Sequence, residues 1–383
     1  NMWVGTDGAG AYAFKGFRFT KMQLPEFSET TSILSLHVTN ANSICIGSNG
    51  NGLLIVKDKA RKRYSKRNGL SNNVIRTITS NKKGTLLVGS DRGIDFIRHG
   101  KVDLALREKI NIKEPVNCSY TTKDGTFIVG TFGHGLYLIK NHLVTKIGTK
   151  NGLAGNHVYD ILENKKGVLF IATDQGLSII SNNIIKNYST ENGLLSNLIT
   201  SLVIDKNNRL WVISENGITR FDSKVLYHLP IEKISDANIV YSATNDLFGN
   251  IVLGTERGID ILTINAESTP ISKKSFRRHD GFFGIECNLN AVTSEPSGDI
   301  LFGTKQGVTK YNPFADSVQN PLAKAYIREV ELFYSKVNWG KYTDSISNWS
   351  LLPIGFELPY SENNLTFYFV ANDYQTPQKL MLQ

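Results

Sequence analysis

Cysteine is scarce in this chain, and nothing around it suggests a second use. Only Cys45, Cys118 and Cys287 occur in 383 residues, an odd number with no CxxC or Cys/His ligand spacing. That argues against a disulfide framework or a zinc site and leaves three small core residues. No apolar run approaches the roughly 20 residues of a membrane-crossing helix. A secretory leader is also lacking, but Asn1 is a poor native start and "NMWVGTDGAG" begins in mid-motif. The end, "QTPQKLMLQ", breaks off in the same way. The chain therefore reads as a fragment, and the missing leader and anchor say nothing about location.

Catalytic signatures are missing too. HExxH, GxSxG and the P-loop are absent, and the seven histidines are scattered from His37 to His279. "GTFGHG" around His134 reads as a strand-to-strand turn rather than a metal or phosphate site. "DKNNR" (Asp205 to Arg209) lacks the Gly and distal Glu of a calcium loop and reads as a hairpin turn. No metal and no cofactor is expected. The net charge of +9 is spread along the chain, with concentrations at Lys57 to Arg67 and Lys273 to His279. No aromatic-plus-basic platform accompanies them, so no nucleic-acid contact is expected. The charge reads first as a solubilising surface, with an anion-binding surface as the alternative.

What the chain has in abundance is repetition. A short strand ending in Gly-Thr or Gly-Ser recurs at Gly5, Gly47, Gly89, Gly130, Gly254 and Gly303, with Ala172 and Ile213 in the same column. The steps are 42, 42, 41, 42, 41, 41 and 49 residues. That period suits a four-stranded propeller blade. One unit, from Asn68, reads strand by strand. "NNVIRTITSN" is a β-branched inner strand, "NKKG" a turn, "TLLVGS" a second strand, "DRG" a tight turn and "IDFIRHG" a third strand. "KVDLALRE" (Lys101 to Glu108) serves as a polar outer strand.

Inner strands fall near Ile33, Val74, Val116, Val158, Leu198, Ile239 and Ala291. This predicts an all-β fold, a seven-bladed β-propeller of four-stranded blades over residues 16–315, since stacking blades in a ring buries both faces of each. An eight-bladed ring is the alternative, but an inner strand for it is lacking. The segment Phe17 to Gln23 would close the ring as the outer strand of the last blade. Residues 1–15 are then the remnant of a preceding propeller or a ring-closing segment. Residues 316–383 are a linker and the start of a β-sandwich, where "NNLTFYFVA" alternates as a sandwich strand should.

The pattern "NGL-x-x-N" followed by "VG-T/S-D-x-G" resembles the two-component regulator propeller repeat. The segment from His279 to Phe314, which opens on "HDGFFGIECN", resembles that family's closing blade, with Phe282 where the loop usually has Leu. The tail resembles the beginning of the tyrosine-rich immunoglobulin-like domain that follows such propellers. The resemblance implies a periplasmic sensor domain of a hybrid two-component system. Its ligand would be an oligosaccharide released from a polysaccharide, and its output glycan-utilisation genes. It further implies a homodimer, a full-length protein anchored in the membrane, and a kinase outside this chain. A polysaccharide-degrading enzyme and a protein-interaction scaffold are the rival readings.

Topology locates the functional end. The "NGL" loops enter inner strands and the "SDRG" turns join second to third strands, so both lie at one end of the ring. Breaks in the repeat there nominate Arg76, His157 and Tyr159, with Arg278, His279, Phe282, Phe283, Glu286 and Asn288 in the last blade. If the ligand is acidic, Lys273, Lys274, Arg277 and Arg278 are its natural partners. Trp211 reads as core. The recurring Asp7, Asp91 and Asp174 read as turn residues whose carboxylates accept from backbone N–H groups.

Overall fold

The computed structural model describes residues 2–6, 10–14, 18–222, 225–265, 267, 269–316, 325–347 and 351–371. Two compact units result, Phe17–Ser317 and the pairing of Asn1–Gly16 with Val318–Gln383.

The larger unit is a seven-bladed propeller of four-stranded antiparallel sheets. Its inner strands are Ile33–Val38, Ile75–Ser80, Val116–Thr121, Val158–Glu163, Ile199–Ile204, Val240–Asn245 and Cys287–Ser294, opening blades 1 to 7. The last of them packs against the first, which closes the ring and excludes an eighth blade. The outer strand of blade 7 is Phe19–Lys21, paired antiparallel with Gly307–Tyr311. There Phe19 meets Phe276, Phe282 and Tyr311 at ring-centroid distances of 5.4–5.7 Å. Removing these rings from water is what holds the seam.

The repeated residues have separate tasks. The Ser or Thr that ends each second strand donates its hydroxyl to the carbonyl of the turn glycine. Ser48 to Gly52, Thr131 to Gly135, Thr173 to Gly176 and Thr255 to Gly258 span 2.7–3.0 Å. The glycine before it is a close-approach residue. A Cβ on Gly89 would lie 2.5 Å from both Thr77 and Val116, the latter on the inner strand of the next blade. In the "NGL" loops the asparagine caps a 3-10 turn. Asn151 Oδ1 accepts from Gly148 N at 3.1 Å, and Asn192 Oδ1 from Ser189 N at 2.6 Å. Gly69, Gly152 and Gly193 then take positive φ between 97° and 111°, which favours glycine. Leu70, Leu153 and Leu194 are buried behind them.

Blade 2 departs from expectation. Its outer strand is only Lys101–Val102, and the rest of "KVDLALRE" turns into the helix Leu104–Ile110. Asp103 caps it, accepting from Leu106 N at 3.0 Å, and Leu106 and Ile110 are buried one turn apart.

In the smaller unit Met2–Thr6 pairs with Gly10–Phe14, and Ala325–Leu332 with Leu365–Ala371. Val330, Leu332 and Trp339 form a small core beside the second pair. Asp7 and the chain after Ala371 lie outside the described residues. Among the described residues no helix is long and apolar enough to cross a membrane.

Candidate functional site

Every inner strand is bulged one residue after its first paired position. The ladder skips Leu34, Arg76, Asn117, Tyr159, Thr200 and Tyr241 in blades 1 to 6. In blade 7 it skips four residues, Asn288 to Ala291. A bulged residue leaves the ladder, and its side chain is re-aimed. These bulges sit at the same end of seven strands that surround the axis. They form the mouth of the ring on the "NGL" side.

Some of these side chains join blades. Asn117 Nδ2 donates to Val158 O at 2.8 Å, Thr200 Oγ1 to Val240 O at 3.2 Å, and Asn288 Nδ2 to Ile33 O at 2.7 Å. Each reaches the first inner-strand residue of the following blade. Asn290 reaches further. Held at φ 52°, it donates its amide to the Tyr159 carbonyl, so the blade 7 bulge spans the axis to blade 4. Arg76, Tyr159 and Tyr241 remain as the large polar side chains of the mouth.

The turns after the second strands frame them. The residue following the Ser or Thr is Asp91, Asp174, Glu215 or Glu256 in four blades and Asn49, Phe132 or Lys305 in the others. Its N–H binds back to the strand entrance, as Phe132 N does to Pro115 O at 2.9 Å and Asp174 N to His157 O at 3.2 Å. Asp91 pairs with Arg76. Asp174 Oδ2 lies 3.2 Å from His157 Nδ1. The expected capping of these turns by the aspartates is therefore corrected. The Ser or Thr hydroxyl accepts the turn N–H, as Thr173 does from Gln175 N at 3.1 Å, and leaves the carboxylate to face the mouth.

Aromatic and charged groups alternate here. Phe132 is 56% exposed and meets the His157 ring edge-on at 4.6 Å. Phe283, Ile285 and Ile239 are exposed near blades 6 and 7. Glu286 pairs with Lys305 and accepts from Tyr241. Burial, then the Glu286 hydrogen bond and charge, pushes the Tyr241 phenol up to about 12. Burial and the Asp174 charge raise Tyr159 as well. Both phenols are neutral hydrogen-bond donors near neutral pH.

The predicted residues divide on this map. Arg76, His157, Tyr159 and Glu286 come together at the mouth, and Phe283 is exposed in the loop just before Glu286. Asn288 is at the mouth, engaged with Ile33 O and, at 3.1 Å, with Ser32 Oγ. Arg278 and His279 lie in the 3-10 turn Arg278–Asp280, where the chain leaves the outer strand of blade 6, and so stand apart from the mouth. Phe282 is corrected. It is 1% exposed, fills the leucine position of the loop and packs against Phe19 and Phe302, so no ligand reaches it. Arg277 is committed to the buried Asp260 at 2.7 Å, and Lys273 to Asp236 at 2.6 Å on the outer strand Pro270–Phe276. An acidic ligand held by that cluster has no free partner in either. Trp211 is fully buried, with Nε1 3.0 Å from Asp205 Oδ2. Asp205 also caps the turn read there, accepting from Asn207 N and Arg209 N at 2.9 Å.

Sequence reasoning missed Leu34, Asn117, Thr200, Tyr241 and Asn290. A signal was present. Leu34, Arg76, Asn117, Tyr159, Thr200, Tyr241 and Asn290 all stand thirteen residues before the repeat's glycine column. That column varies freely inside a constant frame, and the structure identifies it as the mouth.

Comparison with known proteins bears on the fold. Residues 193–216 match the family described as two component regulator propeller. No curated protein matches the chain. Among solved structures, the chain is similar to the extracellular domain of a B. thetaiotaomicron protein assigned as a hybrid two-component system, with TM-score 0.74 and 20% identity over 98% of this chain and 52% of that one. A second such extracellular domain from B. thetaiotaomicron gives TM-score 0.63 and 18% identity over 77% of this chain and 40% of the other. The chain thus spans about half the length or less of these two. Virginiamycin B lyase from Staphylococcus aureus gives TM-score 0.60 and 12% identity over 76% of this chain and 98% of the lyase. At these identities the structural likeness speaks for the fold alone. The ring is a seven-bladed propeller, and residues 193–216 within it match the two component regulator propeller repeat.

Proposed function

We propose that this propeller is the ligand-sensing part of a periplasmic, membrane-linked two-component sensor, and that it holds an oligosaccharide at the mouth of the ring. The observation that carries the reading is the bulge column. A constant scaffold presents seven variable side chains at one place, and the polar ones include two protonated tyrosines and an arginine. Sugars are recognised by such groups, hydrogen-bonding side chains beside aromatic faces. The likeness to extracellular domains of two-component systems supports the sensing role.

The mechanism is differential binding. Ligand favours one arrangement of a homodimer over another and so biases a kinase carried elsewhere in the full-length protein, which sets expression of glycan-utilisation genes. The mouth itself carries more carboxylates than cations, which favours a neutral glycan over the acidic one considered from sequence.

Calorimetry against a panel of glycan fragments tests this. One fragment class binds saturably and is recovered unchanged. Tyr159→Phe or Tyr241→Phe weakens it by about tenfold, the worth of one lost hydrogen bond to the ligand, while the ring that packs against the blade stays and the melting temperature holds. A second reading, an enzyme, is favoured only by the His157–Asp174 pair, whose geometry leaves Nε2 available as a base. Appearance of product would establish it in place of the sensor, and no binding to any fragment would favour a scaffold.

A further inference from the structure

The opposite end of the ring has a chemistry of its own. It is built by the turns that join first to second strands, together with those that join third to fourth strands. In blades 2 to 5 the first-to-second turns carry Lys82, Lys83, Lys123, Lys165, Lys166 and Lys206. None of the six has a carboxylate partner among the described residues, and Lys123 Nζ reaches only the Asn164 carbonyl at 3.0 Å.

The acids of the same turns are all engaged. Asp124 pairs with Lys140 at 2.8 Å. Glu295 and Asp299 both hold Lys310, at 2.6 and 2.8 Å. Asp205 and Asp246 are drawn inward to cap their own turns. The free charge of these turns is therefore positive.

Blades 6 and 7 complete the end differently. An exposed apolar group lies there, Leu247 at 61% and Phe248 at 47% in the blade 6 turn and Phe314 at 48% in the 3-10 turn Pro313–Asp316 that follows the third strand of blade 7. Phe248 and Phe314 meet edge-on at 5.5 Å, and Leu247 and Phe314 both flank Gly298. The group adjoins the basic arc, because the Lys206 stem lies against Gly249 of the blade 6 turn. Apolar side chains at turn tips contribute nothing to the core, and a charged turn would serve solubility better.

We infer that this end is a docking face for an anionic lipid surface. The turns of a propeller end at one level, so the lysines can meet headgroups together while Leu247, Phe248 and Phe314 enter the boundary of the acyl chains. Each half explains what the other leaves over. Charge alone would fit any soluble polyanion, and the adjoining apolar group is what selects lipid. The inference does not depend on what the mouth binds, since the two ends use different loops.

Vesicle flotation of the whole chain tests it. Vesicles of phosphatidylcholine mixed with phosphatidylglycerol float the protein, pure phosphatidylcholine vesicles do not, and added salt reverses the binding. The fourfold variant Lys82→Glu, Lys83→Glu, Lys165→Glu, Lys166→Glu lowers partitioning by at least about tenfold. The double variant Leu247→Ser, Phe248→Ser lowers it by about threefold or more, with both variants melting near the wild-type temperature because every changed side chain is exposed. The inference is overturned if the anionic vesicles float nothing at low salt, or if the fourfold variant floats as well as wild type. It is equally overturned if the double variant floats unchanged while soluble heparin competes, since the face would then be a general polyanion surface.

Discussion

His37 and Asp160, both on inner strands, pull stability in opposite directions as pH changes. Burial holds the His37 imidazole down at about 4, with Nε2 2.7 Å from Ser80 Oγ of the next blade. Below its unfolded value of about 6.5, the unfolded chain takes a proton that the folded one refuses, so this residue makes stability rise with pH from about 4 to 6.5. Burial pushes Asp160 up to about 6, against hydrogen bonds from Leu202 N, Ile161 N and the Ser201 hydroxyl. Its unfolded value is about 3.9, so here the folded chain holds the extra proton and stability falls as pH rises from about 4 to 6. In urea melts across that window, His37→Gln should leave a profile that falls with pH and Asp160→Asn one that climbs, with wild type between them. Three parallel profiles would contradict the assignment. Neither residue was singled out in the sequence, because burial of a polar side chain on an inner strand depends on the neighbouring blade. Phe282 shows the converse. Its place in the "NGL" register already marked it as core, and its departure from leucine drew attention to it as a ligand contact instead.

Among the elements, the strands and their turns were legible because each is defined by local chemistry. The hydroxyl-to-glycine bond, the asparagine cap and the positive-φ glycine all act within a few residues. The helix Leu104–Ile110 was not legible as long as the repeat was used as a template, although Asp103 and the Leu106/Ile110 spacing state it locally. The bulges were hidden for a different reason. A skipped residue leaves the apolar pattern on both sides intact, and only the pairing of two strands reveals it. The glycine column also depends on pairing between blades. Gly89→Ala should cost about 1–3 kcal/mol, because the added methyl meets Thr77 and Val116 across a close-packed interface. A lowered urea midpoint with an unchanged slope is the expected record, and an unchanged midpoint would mean that the glycine serves only the turn.

At the scale of the whole molecule, the ring closes by lending Phe19–Lys21, far earlier in the chain, to the last blade. Both the blade number and this closure were readable, since the period fixes how many inner strands exist and a ring leaves no open edge. The candidate site was readable only as a face. Which side chains meet there depends on seven units converging on an axis, and units about 41 residues apart carry no local mark of that convergence. Asn290 and Tyr159 illustrate it, 131 positions apart and joined across the mouth.

The central claim is that the bulge column is the recognition site. Hydrogen–deuterium exchange of the chain with and without a bound glycan fragment tests it most directly. The account predicts slowed exchange at the strand entrances around Arg76, Tyr159, Tyr241 and Asn288 to Ala291, with the turns at the opposite end unchanged. Protection confined to those opposite turns, or to the outer strands, with the four entrances unaltered, would contradict it.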